Sequence, residues 1–392
     1  DSLLDKEPLD RVTQFDYFKT RSDLELFSNP FYDNLLDKTP YDEQNDLLVK
    51  LTLSDVLYGG DKRTVPNTGG GWSWGNLRRI NTLLEYVDQC EDKKAVTEYT
   101  ALAKFFRAAF YFDKVKRFGD VPWYEVQLGS ADEALYKPRD SRELIMTNMI
   151  KDIDEAINSG GLTEDISTYR VNKWAALALK ARFCLFEGTY RKYHRVDPST
   201  GKAWDPEYNK DNKWLREAAD ACEELMEAGV YSLVNSPADV ATQYRSLFTS
   251  PSVLKQEVMW AREYNDEKNV RHDVTWYFTS GSMGQGWSLD ADFVYTYLNR
   301  DGSRFTDRAD YKSTTYAEQF ENRDYRLQQT VISPEYRKLV GGTSKLFAPD
   351  LSVSYTGYQV IKFNIDDDSY EASGICWNCL PILRYAEVLL NY

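Results

Sequence analysis

The side chains that most often do catalytic chemistry are scarce in this sequence. It has two histidines, His194 and His272, so a serine–histidine–aspartate or cysteine–histidine arrangement would have to use one of these two rings. No HExxH, GxGxxG or P-loop motif is present. One GxSxG match surrounds Ser73, but the residues before it are typical of turns rather than of the buried strand that a nucleophile elbow needs. The familiar enzyme classes are thereby weakened, while 62 acidic residues leave paired-carboxylate chemistry open.

The cysteines and the acidic runs do not complete a metal or redox site. Five cysteines are too few for a disulfide framework in a chain of 392 residues. Cys376 and Cys379 form a CxxC pair, but no second pair or neighbouring histidine completes a tetrahedral zinc site. The acidic run Asp366–Asp368 has ligands suited to calcium, although a solvated acidic turn is the better interpretation. We therefore predict no metal site and no cofactor.

Aromatic side chains are the stronger chemical signal. The chain has 10 Trp, 28 Tyr and 18 Phe, and several of them occur in glycine-rich segments. In GGGWSWGN, residues 69–76, three glycines make the backbone permissive, so we expect a loop that exposes Trp72 and Trp74. A flat ring there can stack on the apolar face of a sugar, and Asn76 can hydrogen-bond to hydroxyl groups. For any single ring, burial beneath the loop is the competing interpretation.

A second segment, residues 270–290, has the same composition of glycines, aromatic rings and small polar residues, including Gln285. Loops of this kind also occur in protein-binding surfaces, so the signal does not settle the class of ligand. The predicted ligand-binding residues from both segments are Trp72, Trp74, Asn76, Trp276, Tyr277 and Trp287.

Helical periodicity predicts the scaffold that positions these loops. Apolar residues recur at helical spacing in amphipathic segments that form two pairs, at about 97–158 and 172–229. Repeated helix pairs with small residues at contact positions are typical of a tetratricopeptide-like solenoid. We predict an all-α-dominated fold, with a tetratricopeptide-like helical-repeat scaffold, long decorated loops and minor β structure. A loop-rich region at about 232–380 is expected to contribute to ligand binding.

Charge and hydropathy exclude other classes of protein. The net charge is −14, from 48 Lys and Arg against 62 Asp and Glu, which disfavours nucleic acid as a partner. No segment approaches the roughly 18 consecutive apolar residues of a membrane-spanning helix. The sequence opens at Asp1 without a signal peptide and stops at Tyr392 inside a helical pattern, so we expect the natural chain to be longer at both ends.

Several motifs together resemble one family. The opening residues 4–10 (LDKEPLD) and 17–20 (YFKT) are similar to the mature N-terminus of SusD/RagB nutrient-binding lipoproteins of Bacteroidetes. Further similar segments follow in the family's order: FFRAAFYF at 105–112, RFGDVP at 117–122, NRDYR at 322–326 and RYAEVLLN at 384–391. These motifs span nearly the whole chain.

The resemblance implies a single SusD-like domain over residues 1–392, with further helices following Tyr392 in the natural chain. It implies an N-terminal lipid anchor in the outer membrane, absent from this chain, and a location on the cell surface. It also implies a partner, a SusC-like TonB-dependent transporter that receives captured glycan. Members of the family are not enzymes, and they commonly bind glycan through aromatic residues in loops, where Trp72 and Trp276 fall.

The sequence therefore predicts a non-catalytic, cell-surface lipoprotein that captures an oligosaccharide or polysaccharide and delivers it to a transporter. Two alternatives stay open at this point. One is a peptide-binding relative of the RagB type, since part of the same family imports peptides. The other is a helical glycoside hydrolase, which the acidic and aromatic composition also permits.

Overall fold

The computed structural model describes residues 17–34, 46–50, 66–281 and 287–392. These divide into two compact units. The first unit holds the described residues within Asp1–Leu36, Asn67–Tyr231 and Tyr385–Tyr392, and the second holds those within Asp37–Pro66 and Ser232–Arg384. The boundary after residue 231 coincides with the start of the loop-rich region that the sequence indicates. The single domain expected from the resemblance stays a prediction.

Helices make up most of the described part of the first unit. Its longest helix begins after Asp92, whose carboxylate accepts hydrogen bonds from the backbone N–H groups of Lys94 and Ala95, and ends at Gly119, where φ is 68°. In chain order the helices of this unit are α1 (Arg21–Asn34), α2 (Gly75–Tyr86), α3 (Lys93–Phe118), α4 (Arg142–Asn158), α5 (Lys173–Tyr193), α6 (Pro206–Asn209), α7 (Lys213–Ala228) and, after the second unit, α12 (Tyr385–Asn391).

The helices pack as pairs, α3 against α4 and α5 against α7. Alanines along α5 are fully buried, and Gly188 lies so close to α7 that a Cβ atom there would be 2.5 Å from the side chain of Leu215. A buried ion pair also joins the two helices of the first pair, since the Arg107 guanidinium group on α3 donates two hydrogen bonds, of 2.6 and 2.7 Å, to Asp152 on α4. The predicted helical-repeat scaffold is confirmed.

The second unit is made of short elements joined by long loops. Its helices are α8 (Gln243–Thr249), α9 (Val274–Thr279), α10 (Ala291–Thr296) and α11 (Leu327–Thr330). Its strands form three antiparallel pairs: β1 (Leu48–Val49) with β3 (Ser288–Leu289), β2 (Val258–Arg262) with β6 (Leu380–Arg384), and β4 (Arg337–Val340) with β5 (Thr343–Leu346). The minor β structure that the sequence predicts is therefore present.

The core of the second unit is an apolar cluster that gathers residues from distant parts of the chain, including Phe278, Val294 and Leu327. Since no single element here is long, packing in this cluster rather than local helix or strand preference fixes the loops. Among the described residues, no helix is both long and apolar enough to cross a membrane.

Candidate ligand-binding surface

The glycine-rich loop before α2 is held in place by the last turns of α3. Gly69, Gly70 and Gly71 all have positive φ, a conformation that other residues rarely adopt. The Lys114 ammonium group donates a 2.6 Å hydrogen bond to the carbonyl oxygen of Gly71. Arg117 lies against the same glycine, because a Cβ atom on Gly71 would be 2.8 Å from its Nε atom. The loop is therefore pinned to a long, rigid helix.

Trp72 is presented at the surface by this loop. Its side chain is 41% exposed. Two rings support it edge to face: Phe118 at a centroid distance of 4.8 Å and Trp74 at 5.2 Å. Such contacts fix the orientation of the ring and leave part of it open to solvent. The predicted exposure of Trp72 is thus observed. One of the two rings that pack against it, Phe118, is the last residue of α3.

Trp74 is half-buried and packs edge to face against Trp72. Its ring contacts Phe110 at 5.7 Å, Tyr111 at 6.2 Å and Tyr124 at 5.8 Å between centroids. Asn76 lies in the first turn of α2, two residues further on, and is also half-buried. Three of the predicted residues, already neighbours in sequence, thus share one short segment, and Trp72 is the most exposed of them.

Positive side chains surround this segment. The Lys114 ammonium group lies 4.9 Å from the ring centroid of Phe110 and 5.8 Å from that of Trp74, and burial lowers its pKa below the ordinary lysine value. The guanidinium carbon of Arg139 lies 4.8 Å from the centroid of Trp72. Sequence reasoning missed Arg139, because 67 positions separate it from Trp72 and no local pattern links them.

Trp276 and Tyr277 lie on α9 in the second unit. Both side chains are half-buried, and their ring centroids are 5.8 Å apart at an angle of 64°. The helix itself is only six residues long. Gln285, which the sequence also suggested as a hydrogen-bonding residue, lies outside the described residues. A role for this pair in binding stays a prediction.

Trp287 is not an exposed ring, and that part of the sequence prediction is wrong. Its side chain is only 2% exposed and belongs to the apolar core with Leu289 and Val294. The physical reason is that Trp287 directly precedes β3, whose residues Ser288 and Leu289 are themselves buried. The glycine-rich sequence before it does not reveal this burial.

The two histidines lie in different environments, one buried and one exposed. The ring of His272 is buried: its Nε2 atom is 2.9 Å from the carbonyl oxygen of Asn378, and its Nδ1 atom accepts a 3.2 Å hydrogen bond from the Val274 N–H group. Burial lowers the pKa of His272, which favours the neutral ring that these bonds require. His194 is exposed at the end of α5.

The CxxC pair is buried, and the first residue of the acidic run is hydrogen-bonded within the protein. Cys376 and Cys379 are both buried free thiols, and burial raises the pKa of Cys376. Asp366 accepts hydrogen bonds from Arg245 and from the Tyr336 hydroxyl group. In the part of the chain that the structure describes, no group of three or more His, Cys, Asp or Glu side chains is placed to hold a metal ion.

Comparison with known proteins agrees with the fold. A family model described as "SusD family" matches residues 256–392, and one described as "Starch-binding associating with outer membrane" matches residues 20–178. SusD-like protein P25 of Formosa agariphila is 22% identical over 228 residues, which are 56% of this chain and 36% of that protein. SusD-like protein P38 of the same organism is 34% identical over 95 residues, 24% of this chain and 18% of that protein. The matched segments thus span about a third or less of these relatives.

Solved structures share the same architecture. A SusD-like protein from Bacteroides fragilis superposes with a TM-score of 0.73 at 19% identity, covering 98% of this chain and 77% of that one. A SusD-like carbohydrate-binding protein of the same organism gives 0.68 at 20% identity, covering 97% and 74%. A third structure, solved with xylogluco-oligosaccharide, gives 0.60 at 16% identity, covering 98% and 70%. Two models of SusD-type families thus match separate segments of this chain, residues 20–178 and 256–392, and the solved SusD-like structures share its fold.

Proposed function

We propose that this protein captures an oligosaccharide or polysaccharide and does not cleave it. The observation that carries the proposal is Trp72: a 41% exposed indole, supported edge to face by two other rings, on a loop pinned to a long helix. An exposed ring held in one orientation is suited to stacking on the C–H face of a pyranose. The family model that matches residues 20–178, described as starch-binding, supports the same ligand class.

The arrangement is suited to capture and release. Trp72 supplies the apolar face, Asn76 supplies an amide within the same segment, and α3 fixes the loop so that little order has to be gained on binding. One exposed ring and a few hydrogen bonds give modest affinity for a single sugar. A polymeric ligand that contacts the protein repeatedly is retained longer without any new type of contact.

Delivery and location complete the proposal. We place the protein at the outer membrane surface, held by an N-terminal lipid anchor, where it passes bound glycan to a SusC-like TonB-dependent transporter. Support comes from the family, one of whose models is described as associating with the outer membrane. The two rings on α9, Trp276 and Tyr277, are proposed to contribute to ligand binding in the second unit.

The experiment that tests capture is affinity electrophoresis in gels that contain plant, host or microbial polysaccharides, with release of reducing ends assayed on the same mixtures. We expect slower migration in at least one gel and no release of reducing ends. Release of sugar from the retained polysaccharide contradicts the non-catalytic proposal. Normal migration in every gel contradicts glycan capture.

A further inference from the structure

One guanidinium group lies beside the exposed ring of Trp72, and a second lies against the glycine that precedes it. The guanidinium carbon of Arg139 is 4.8 Å from the Trp72 ring centroid. Arg117 lies against Gly71, the residue before Trp72, and its guanidinium carbon is 5.7 Å from the centroid of Phe118. Both arginine side chains are exposed. An external ligand that stacks on Trp72 would therefore meet two positive groups.

No carboxylate in the described part of the chain forms an ion pair with either guanidinium group. Within the described residues, Arg117 and Arg139 form no ion pair, and the one hydrogen bond that Arg139 donates, of 3.4 Å, goes to the backbone carbonyl oxygen of Asp120. The buried arginines Arg107 and Arg142 differ, since each donates at least two hydrogen bonds to a carboxylate. The two cations at Trp72 thus keep their donors available.

The neighbouring carboxylates are engaged elsewhere or lie open to solvent. Asp140 pairs with Lys137 at 2.8 Å, and Asp120 accepts a 2.9 Å hydrogen bond from the backbone N–H group of Arg142. Asp113, one helical turn before Arg117, is exposed. An incoming anion would accordingly compete with water, rather than with an existing ion pair, for the guanidinium groups.

A planar guanidinium fork matches the two oxygens of a carboxylate or a sulfate ester. Acidic sugars combine such an anion with the same apolar ring face that neutral sugars offer to an indole. Trp72 offers a ring for the apolar face of such a sugar, and Arg139 offers a guanidinium group for its anion. The guanidinium carbon and the ring centroid are 4.8 Å apart.

The overall charge of −14 opposes a polyanion at long range. Salt screens this repulsion beyond about 8–10 Å, so the charges next to the ligand decide the contact. Arg117 also lies in the last turn of α3, where any cation stabilises the helix end. That role explains a positive residue at this position but not the second guanidinium group over Trp72.

We infer that the glycan bound at Trp72 is anionic, carrying carboxylate or sulfate groups that Arg139 and Arg117 hold. This inference rests on the proposed function, because it names the substrate class of the same surface. It makes ligand choice depend on residues 117 and 139 rather than on the ring alone.

The test uses the intact protein and polymers that differ only in charge. Affinity electrophoresis compares polygalacturonate with its carboxyl-reduced form, and iota-carrageenan with its desulfated form, at low and high salt. We expect one acidic polymer to retard the protein more than its neutral partner, with the difference shrinking at high salt. Which pair shows the effect distinguishes carboxylate from sulfate recognition.

Three variants link the effect to the arginines. Arg139→Gln and Arg117→Gln are each expected to weaken binding of the acidic polymer about tenfold or more, as for loss of a charged hydrogen-bond donor, and to leave binding of neutral polymers unchanged. Arg79→Gln is the matched control, because Arg79 is also exposed, also lies over a ring (Phe27, 5.6 Å) and belongs to α2. It is expected to bind like the unmodified protein.

The outcomes separate this inference from the function on which it rests. Retention by neutral polysaccharides alone, or equal losses for acidic and neutral polymers in the Arg139→Gln variant, overturns the anionic ligand and leaves glycan capture standing. Absence of retention by every polysaccharide, acidic or neutral, overturns glycan capture itself.

Discussion

At the residue scale, Trp72 and Trp287 show how one sequence pattern gives two environments. Both are tryptophans next to glycines, yet the side chain of Trp72 is 41% exposed and that of Trp287 is 2% exposed. The difference arises because Phe118 and Arg139 flank Trp72 at the surface, whereas Leu289 and other core residues cover Trp287. Glycine content predicts a loop, but contacts distant in sequence decide which ring stays open to ligand.

The first prediction concerns binding by the exposed ring. Trp72→Ala is expected to weaken binding of the retained polysaccharide about tenfold or more, because it removes the stacking surface. The thermal midpoint should change little, since the side chain is largely exposed. Titration calorimetry and thermal unfolding measure the two effects. Tyr193→Ala, which removes another exposed ring (78%), is the control and should bind normally.

An unchanged affinity in a normally folded Trp72→Ala variant would show that the ligand binds elsewhere, and the rings of Trp276 and Tyr277 would become the next positions to test.

The second prediction concerns the buried ring. Trp287→Ala is expected to lower the free energy of unfolding by about 3–5 kcal/mol, because truncating a buried tryptophan loses its apolar contacts and leaves a cavity. Urea unfolding followed by circular dichroism measures this loss. If Trp287→Ala unfolds at the same urea concentration as the unmodified protein, the assignment of this residue to the core is refuted.

At the element scale, α3 connects the scaffold to the binding loop. Its middle carries buried rings and Arg107, and its last turns carry Lys114 and Arg117, which contact the loop at Gly71. The helical spacing of its apolar residues made this helix predictable from sequence, and Asp92 and Gly119 mark its ends in the structure. The residue that pairs with Arg107 was not predictable from sequence, because buried ion pairs depend on tertiary packing rather than on local spacing.

The third prediction tests such a buried pair. Asp152→Ala leaves the Arg107 guanidinium group buried without its carboxylate, so we expect a loss of about 3–5 kcal/mol in the free energy of unfolding. Glu98→Ala is the matched control on α3, because its pair with Arg21 is solvent-exposed, and we expect a loss below about 1 kcal/mol.

Urea unfolding of both variants gives the comparison. Equal stability of the Asp152→Ala and Glu98→Ala variants would show that the pair between α3 and α4 does not help to hold the helical scaffold together.

At the scale of the whole molecule, the sequence predicts the helical scaffold better than the loop-rich unit. Long amphipathic segments reveal their own helices, so the pairs α3–α4 and α5–α7 follow from periodicity. The described helices of the second unit have four to seven residues and its strands two to five. Segments this short do not show a helical or strand periodicity that can be recognised in the sequence. Its apolar core assembles from distant segments and is visible only in the structure.

The same contrast applies to the candidate site. The glycine-rich segment with Trp72, Trp74 and Asn76 could be found from composition, because three consecutive glycines before two tryptophans indicate a loop that presents rings. The arginines that accompany the ring could not, since Arg117 and Arg139 reach it only through the packing of α3 and the chain before α4.

The central claim is that this protein binds glycan without cleaving it, and one measurement addresses it directly. Oligosaccharides cut from the polysaccharide that retards the protein are titrated into it in a calorimeter, and the recovered ligand is analysed by mass spectrometry. We predict saturable heat and a ligand of unchanged mass. Shorter products in the recovered ligand, or no saturable heat with any oligosaccharide, would contradict the claim.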